Sequence, residues 1–190
     1  PHNHNDLGSL MIVDQNDNTP ISDPGRGEYC KDTFDTEKRY TIFMNGSQGH
    51  SVPIINGKYQ VEGIENKAES VEIGEDFFSL DIQGGYEDGV INKIHRIFKF
   101  NEDSVVMTDE FELSESTESI CERFISQSMP RIEDGLVTLG NTRMIFEKGN
   151  KYTGQYETPF GFLYVGVTTN DMNVKVNDDG GSIELDYYVQ

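Results

Sequence analysis

The chain has no tryptophan, only two cysteines and four histidines, and few basic residues among its 190 residues. Two cysteines, Cys30 and Cys121, permit one bridge but exclude a disulfide framework. Because 34 acidic residues outnumber 15 Lys and Arg, the formal net charge is −19, which argues against nucleic acid as a partner. No window approaches the ~20 apolar residues of a membrane span, so no membrane partner is expected. The first residues do not resemble a secretory signal peptide.

Aromatic residues are plentiful despite the missing tryptophan, with nine tyrosines and eleven phenylalanines. This content is too high for a disordered acidic tail, and the length suits one domain of ordinary size. The default expectation is therefore a globular domain.

Hydrophobic periodicity favours strands throughout, because no stretch keeps an apolar 3.6-residue repeat for three turns. The runs predicted as strands are Leu10–Val13, Tyr40–Met44, Glu69–Ile73, Phe77–Ile82, Ile91–Phe100, Ser104–Leu113, Ser119–Ile125, Gly135–Leu139, Thr142–Phe146, Leu163–Thr169 and Ser182–Val189. The clearest hairpin pairs Ile91–Phe100 with Ser104–Leu113. On its first strand one face carries Ile94, Arg96, Phe98 and Phe100, and the other carries His95, Ile97 and Lys99. Short strands at close spacing predict an all-β, antiparallel two-sheet β-sandwich with little helix.

Histidine and aspartate are grouped unusually near the start of the chain. His2 and His4 are two residues apart, so in an extended segment they project to the same side. His50 lies in a turn-rich segment, and Asp6 and Asp23 accompany the three histidines. Two imidazoles and one carboxylate form a common divalent-metal set that leaves a position for water or substrate. The residues alone leave open which carboxylate completes the set.

One hypothesis takes His4, Asp6 and His50 as the facial triad of a non-haem iron oxygenase. In that class an Arg about ten residues beyond the distal His usually binds the oxoacid cosubstrate. Here Gln60 occupies that position, and the next Arg is Arg96, which weakens the oxygenase hypothesis.

A wider pattern spans almost the whole chain and carries a family resemblance. Its segments are His2-Asn-His-Asn-Asp6, Ile21-Ser-Asp-Pro-Gly-Arg-Gly-Glu-Tyr29, Arg39-Tyr40, Asn45-Gly-Ser-Gln-Gly-His-Ser-Val-Pro-Ile-Ile-Asn-Gly-Lys-Tyr-Gln60, Lys93-Ile-His-Arg-Ile-Phe-Lys-Phe100, Met107-Thr-Asp-Glu-Phe-Glu112 and Thr158-Pro-Phe-Gly161. Together they resemble the C-terminal β-sheet module of heparinase II/III-like polysaccharide lyases. The resemblance implies a sandwich of large sheets, the supersandwich type, over residues 1–190.

The resemblance also implies roles for the histidine and aspartate residues. His4, Asp23 and His50 would be the metal ligands, and His ligands make zinc a better match than calcium. His2 would be the catalytic or charge-stabilising residue facing substrate, and Asp6 would either support the ligands from behind or fix its loop. The implied reaction is β-elimination on a uronic-acid-containing polysaccharide of the heparin, heparan or alginate kind, as in glycosaminoglycan degradation.

Substrate contacts are expected beside these residues, from Arg26, Tyr29 and Asn45. In the family a helical toroid precedes this module and supplies the other half of the cleft. The chain holds no long helical segment, so we expect a fragment whose metal site is whole but whose lyase activity is absent or weak without the toroid. The resemblance further implies a secreted or periplasmic parent. The alternative is a non-catalytic β-sandwich that supports carbohydrate-active partners.

Overall fold

The computed structural model of the chain describes residues 3–133, 136–146, 151–155, 163–168 and 182–189. Within these residues the regular elements are β-strands and short 3-10 turns, with no α-helix. No helix of this described part is long and apolar enough to cross a membrane. Cys30 is exposed and Cys121 is partly buried, and the two do not form a disulfide with each other.

Twelve strands are defined in the described part of the chain. They are β1 (Ile54–Ile55), β2 (Glu69–Ile73), β3 (Phe77–Asp81), β4 (Lys93–Phe100), β5 (Val105–Glu112), β6 (Ile120–Ser126), β7 (Pro130–Glu133), β8 (Leu136–Leu139), β9 (Thr142–Phe146), β10 (Lys151–Gln155), β11 (Leu163–Thr168) and β12 (Ser182–Val189). Short 3-10 turns lie at Lys31–Phe34, Arg39–Thr41, Ser47–Gly49 and Gln83–Gly85.

The strands form two antiparallel sheets. The larger has eight strands in the order β2-β3-β4-β5-β12-β9-β8-β7, and the smaller has four in the order β1-β6-β11-β10. Buried side chains of both sheets belong to one apolar cluster, to which β4 contributes Ile94, β5 contributes Phe111 and β6 contributes Phe124. The predicted all-β, two-sheet sandwich-like fold is confirmed.

The predicted hairpin is present as β4 and β5, in continuous register from Lys93 opposite Glu112 to Phe100 opposite Val105. Ile94, Arg96 and Phe98 point into the core from alternate positions of β4. Alternation places one set of side chains on the covered face of a sheet. An arginine therefore occupies a core position in the middle of this hairpin.

Two predicted strands are wrong. Leu10–Val13 makes only an isolated bridge, between Ile12 and Ile21. Within Tyr40–Met44 the chain is instead bent by the 3-10 turn Arg39–Thr41. Short apolar runs do not fix a backbone conformation by themselves, because tertiary contacts decide it.

Three strands were not predicted from the sequence. β1 has only two residues, too few for an alternation to show. β7 begins with Pro130, a residue that normally argues against a strand but is tolerated at its first position. β10 contains Gly154, and glycine weakens a strand pattern.

Candidate metal centre

The segment that carries His4 and Asp6, residues 3–9, is here called the ligand segment. It has no regular structure, and side chains from elsewhere hold its backbone. Ser47 Oγ donates a hydrogen bond to the Asn5 carbonyl at 2.7 Å. Gln60 clamps Leu7 from both sides, since its Oε1 accepts from the Leu7 N–H at 2.8 Å and its Nε2 donates to the Leu7 carbonyl at 2.8 Å. The ligand segment pairs with no strand, so these side chains satisfy backbone groups that a neighbouring strand would satisfy in a sheet.

A second anchor comes from Arg39, which is 4% exposed. Its Nη2 donates to the Asn3 carbonyl at 2.7 Å, and its Nη1 donates to the Thr33 carbonyl at 2.6 Å. The residue preceding His4 is thereby fixed to the buried wall of the site. Arg39 is consequently a structural anchor for the ligand segment.

His50 follows the 3-10 turn Ser47–Gly49, and its side chain is completely buried. The turn passes so close to another part of the chain that a Cβ at Gly49 would stand 2.1 Å from the carbonyl oxygen of Phe43. Only glycine fits such an approach. The local sequence therefore places an imidazole inside the protein at the end of a tight turn.

Asp23 and His50 form a direct pair, with 2.8 Å between Asp23 Oδ2 and His50 Nδ1. The other carboxylate oxygen, Oδ1, accepts the Gly25 N–H at 2.7 Å. An ionised carboxylate only accepts, so Nδ1 of His50 donates to Asp23, and in the neutral imidazole that binds metal the lone pair is then on Nε2. Among the described residues Nε2 has no hydrogen-bond partner, although it is buried. A buried, unpartnered acceptor is costly, and a bound cation would satisfy it.

His4 and Asp6 lie beside His50. One potential ligand atom from each of the three residues lies within 4.8 Å of the others. The imidazole rings of His4 and His50 have centroids 5.2 Å apart and are inclined by 34°. His50 is buried, His4 is partly buried and Asp6 is exposed, so the group opens to solvent on one side. This donor set fits a divalent cation with an open coordination position.

The electrostatics of the group favour the ligand forms of its side chains. Burial lowers the pKa of His4, the neighbouring His50 lowers it further, and together they outweigh the opposite influence of Asp6 and Asp23. Partial burial raises the pKa of Asp23, but hydrogen bonds from His50 and the Gly25 N–H prevail, and the net pKa is lowered. A neutral imidazole and an ionised carboxylate are the forms that bind metal.

A cavity of about 260 Å³ adjoins His4, and the residues predicted to contact substrate line it. They are Arg26, Tyr29 and Asn45. The Arg26 guanidinium lies 5.3 Å from the centre of the Tyr29 ring, a cation–π contact. Asn45 is 5% exposed, and its Nδ2 donates to the Arg39 carbonyl at 3.3 Å. The cavity thus has a cationic and aromatic wall next to His4 of the candidate metal centre.

The structure brings His4, Asp6, Asp23 and His50 together, and their roles as ligands stay predictions. The predicted catalytic residue, His2, lies outside the described residues. Sequence reasoning missed the anchors Ser47, Gln60 and Arg39, and also Arg96, whose contacts are described below. Their contacts join residues far apart in the chain, and no local pattern marks such pairs.

Comparison with known proteins adds little about activity. A family model described as a domain of unknown function (DUF1934) matches residues 137–190, less than a third of the chain. The match lies outside the segments that carry His4, Asp23 and His50. No curated protein matches the chain.

Proposed function

We propose that the chain is the metal-binding β-sandwich domain of a polysaccharide lyase that cleaves uronic-acid-containing polysaccharides by β-elimination. The observation that carries the metal site is the buried, unpartnered Nε2 of His50 beside His4 and two carboxylates. The lyase assignment is supported by the sequence resemblance. Because lyases of the family that the sequence resembles meet their polymers outside the cytoplasm, we propose a secreted or periplasmic parent.

The residues present fit a divalent cation, with zinc preferred because two ligands are imidazoles. From the set His4, Asp23 and His50, we propose that the two imidazoles bind the cation and that Asp23 either binds it as well or orients His50 through Nδ1. When bound, the cation supplies positive charge close to the negative charge that develops on the uronate during β-elimination. His2 is the proposed group that faces substrate and handles a proton, in agreement with its position two residues before His4.

The cavity beside His4 is the proposed binding place for the sugar chain. Arg26 offers a cation for a uronate carboxylate, Tyr29 an aromatic face for a sugar ring, and Asn45 a polar group at the inner end. With a net charge of −19, the chain repels polyanions at long range. We therefore expect less sulfated polymers, of the heparosan or alginate kind, to be better substrates than heparin.

The lyase proposal predicts a new double bond in the product. A parent polypeptide that includes the helical toroid implied by the resemblance should convert a uronic-acid polymer into unsaturated uronates, measured by ultraviolet absorbance. Removing a proton-transfer group typically costs 10²–10⁴-fold in rate, so His2→Ala should reduce the rate by about that factor. His95→Ala serves as control, because His95 pairs with Asp81 on β3, outside this cluster. A folded parent that leaves heparosan, alginate and heparin all intact would contradict the proposal.

A second prediction concerns the carboxylate ligand, and it is tested with the chain alone. Asp23→Asn should weaken zinc binding by at least about 10–100-fold, because Asp23 either binds the cation or orients His50. Asp6→Asn should bind zinc much like the unsubstituted chain, because the proposed set takes its carboxylate from Asp23, although Asp6 also lies beside the two imidazoles. Zinc titration by calorimetry measures both. Loss of zinc with Asp6→Asn alone would overturn the ligand set His4, Asp23 and His50.

The proximity of His4, Asp6 and His50 also favours a second candidate, a non-haem iron oxygenase. The structure weakens it further, because both candidates for the oxoacid contact are engaged elsewhere. The Gln60 side chain forms hydrogen bonds with the Leu7 backbone, and Arg96 is completely buried in an ion cluster. The oxygenase would require Asp6 for metal binding, so the pair of aspartate variants distinguishes the two. A chain that binds no metal would instead favour the non-catalytic supporting module.

A further inference from the structure

Arg96, in the middle of β4, is completely buried and uses all of its donors. Nε donates to Asp109 Oδ1 at 2.7 Å, and Nη2 donates to Asp109 Oδ2 at 2.6 Å and to Glu122 Oε2 at 3.0 Å. Nη1 donates to the carbonyls of Gly8 at 2.8 Å and Ser51 at 3.2 Å. A guanidinium has five N–H groups, and each has an acceptor here.

The two carboxylates fix the guanidinium to both sheets. Asp109 lies directly opposite Arg96 on β5 of the eight-stranded sheet, and Glu122 comes from β6 of the four-stranded sheet. All three side chains are completely buried. Bidentate pairing fixes both the position and the plane of a guanidinium. Its remaining nitrogen, Nη1, is thereby held in one place.

The two carbonyls that accept hydrogen bonds from Nη1 belong to the two segments of the candidate metal centre. Gly8 is in the ligand segment, two residues after Asp6, and Ser51 directly follows His50. At Gly8 the chain turns with φ +79°, and a Cβ there would stand 3.0 Å from Ile82. The ligand segment therefore packs against the core at Gly8, whose carbonyl accepts a hydrogen bond from Arg96. One nitrogen joins segments that are 43 residues apart.

We propose that Arg96 is a positioning residue for the metal centre, holding the ligand segment and the His50 turn at the separation the cation requires. This inference rests on the proposed metal site and goes beyond it, because Arg96 touches none of the proposed ligands. Metal ligands need to be held within a fraction of an ångström, and that precision comes from the groups behind them. Lysine has three donors and no fork, so it cannot keep Asp109 and both carbonyls together.

The test compares Co²⁺ binding by the 190-residue chain and its Arg96→Lys variant. Co²⁺ substitutes for zinc and reports coordination geometry through its visible absorption. We expect Arg96→Lys to bind Co²⁺ at least about 10-fold more weakly and with an altered spectrum. Met144→Ala, a buried core change in β9, is the control: it should lower thermal stability but leave affinity and spectrum unchanged. This readout separates positioning from a general loss of stability.

The outcomes distinguish this inference from the proposed function. A folded Arg96→Lys chain with the Co²⁺ affinity and spectrum of the unsubstituted chain would overturn the positioning role alone. An unsubstituted chain that binds no Co²⁺ would overturn both the positioning role and the proposed metal site. If Arg96→Lys does not fold, the side-chain N–H resonances of Arg96 in the parent chain decide. They should shift when zinc is added, whereas those of the exposed Arg131 should not, and unmoved Arg96 resonances would overturn the role.

Discussion

Replacing His50 with alanine is expected to abolish tight zinc binding by the chain. His50 is the most buried member of the candidate metal centre, and its Nε2 has no partner among the described residues. Loss of a group that only orients a ligand already costs 10–100-fold in affinity, so loss of the ligand itself should cost at least about 100-fold. Calorimetric titration of the metal-free chain with zinc measures the change.

His95→Ala is the matched control for this prediction. His95, like His50, places Nδ1 against an aspartate, at 2.6 Å from Asp81 Oδ1. It is partly exposed on β4, and its carboxylate partner lies next to Lys93. Zinc binding should therefore be unchanged in His95→Ala. Equal losses in the two variants would mean that zinc binds histidines nonspecifically, contrary to the account.

Removing Asp109 should produce the largest loss of stability. Asp109→Ala leaves the buried Arg96 charge without its bidentate partner, and breaking a buried ion pair in this way costs about 3–5 kcal/mol. Urea unfolding of the chain and the variant at neutral pH measures the difference. A loss below about 1 kcal/mol would contradict the ion cluster.

Glu122→Gln is the contrasting variant in the same cluster. Burial raises the pKa of Glu122 well above its usual 4.5, and Asp109 adds to the effect while Arg96 opposes it. Folding therefore favours the protonated form, and this contribution to stability is lost as pH rises from about 4.5 towards the raised folded-state pKa. Glutamine keeps an acceptor for Arg96 and carries no charge. The variant should gain stability relative to the unsubstituted chain as pH rises through this window. A loss of relative stability over the same window would contradict the assignment.

The sequence predicts the β-architecture well where strands are long enough to alternate. The β4–β5 hairpin is the best example, since Ile94, Arg96 and Phe98 occupy the inward positions that alternation requires. Phe100 shares their parity but lies at the end of the strand and is 51% exposed. Periodicity specifies a face, whereas burial also depends on what covers that face.

The candidate site is predictable only in part. The histidine and aspartate residues could be selected from their spacing and from the family resemblance. The sequence could not show that Asp23 meets Nδ1 of His50, because the two residues are 27 positions apart along a stretch that contains no strand. Nor could it show that Arg96, in the middle of β4, would donate hydrogen bonds to the carbonyls of Gly8 and Ser51. Such contacts depend on how loops fold over the sheets, which local patterns do not encode.

X-ray absorption at the zinc edge of the zinc-loaded chain shows whether His4 and His50 share one cation, because it reports the atoms bound to the metal. We expect one zinc per chain with two imidazole ligands and oxygen ligands. Sulfur in the first coordination sphere, for example from the exposed Cys30, would contradict it. So would a single imidazole, because His4 and His50 would then not share the cation.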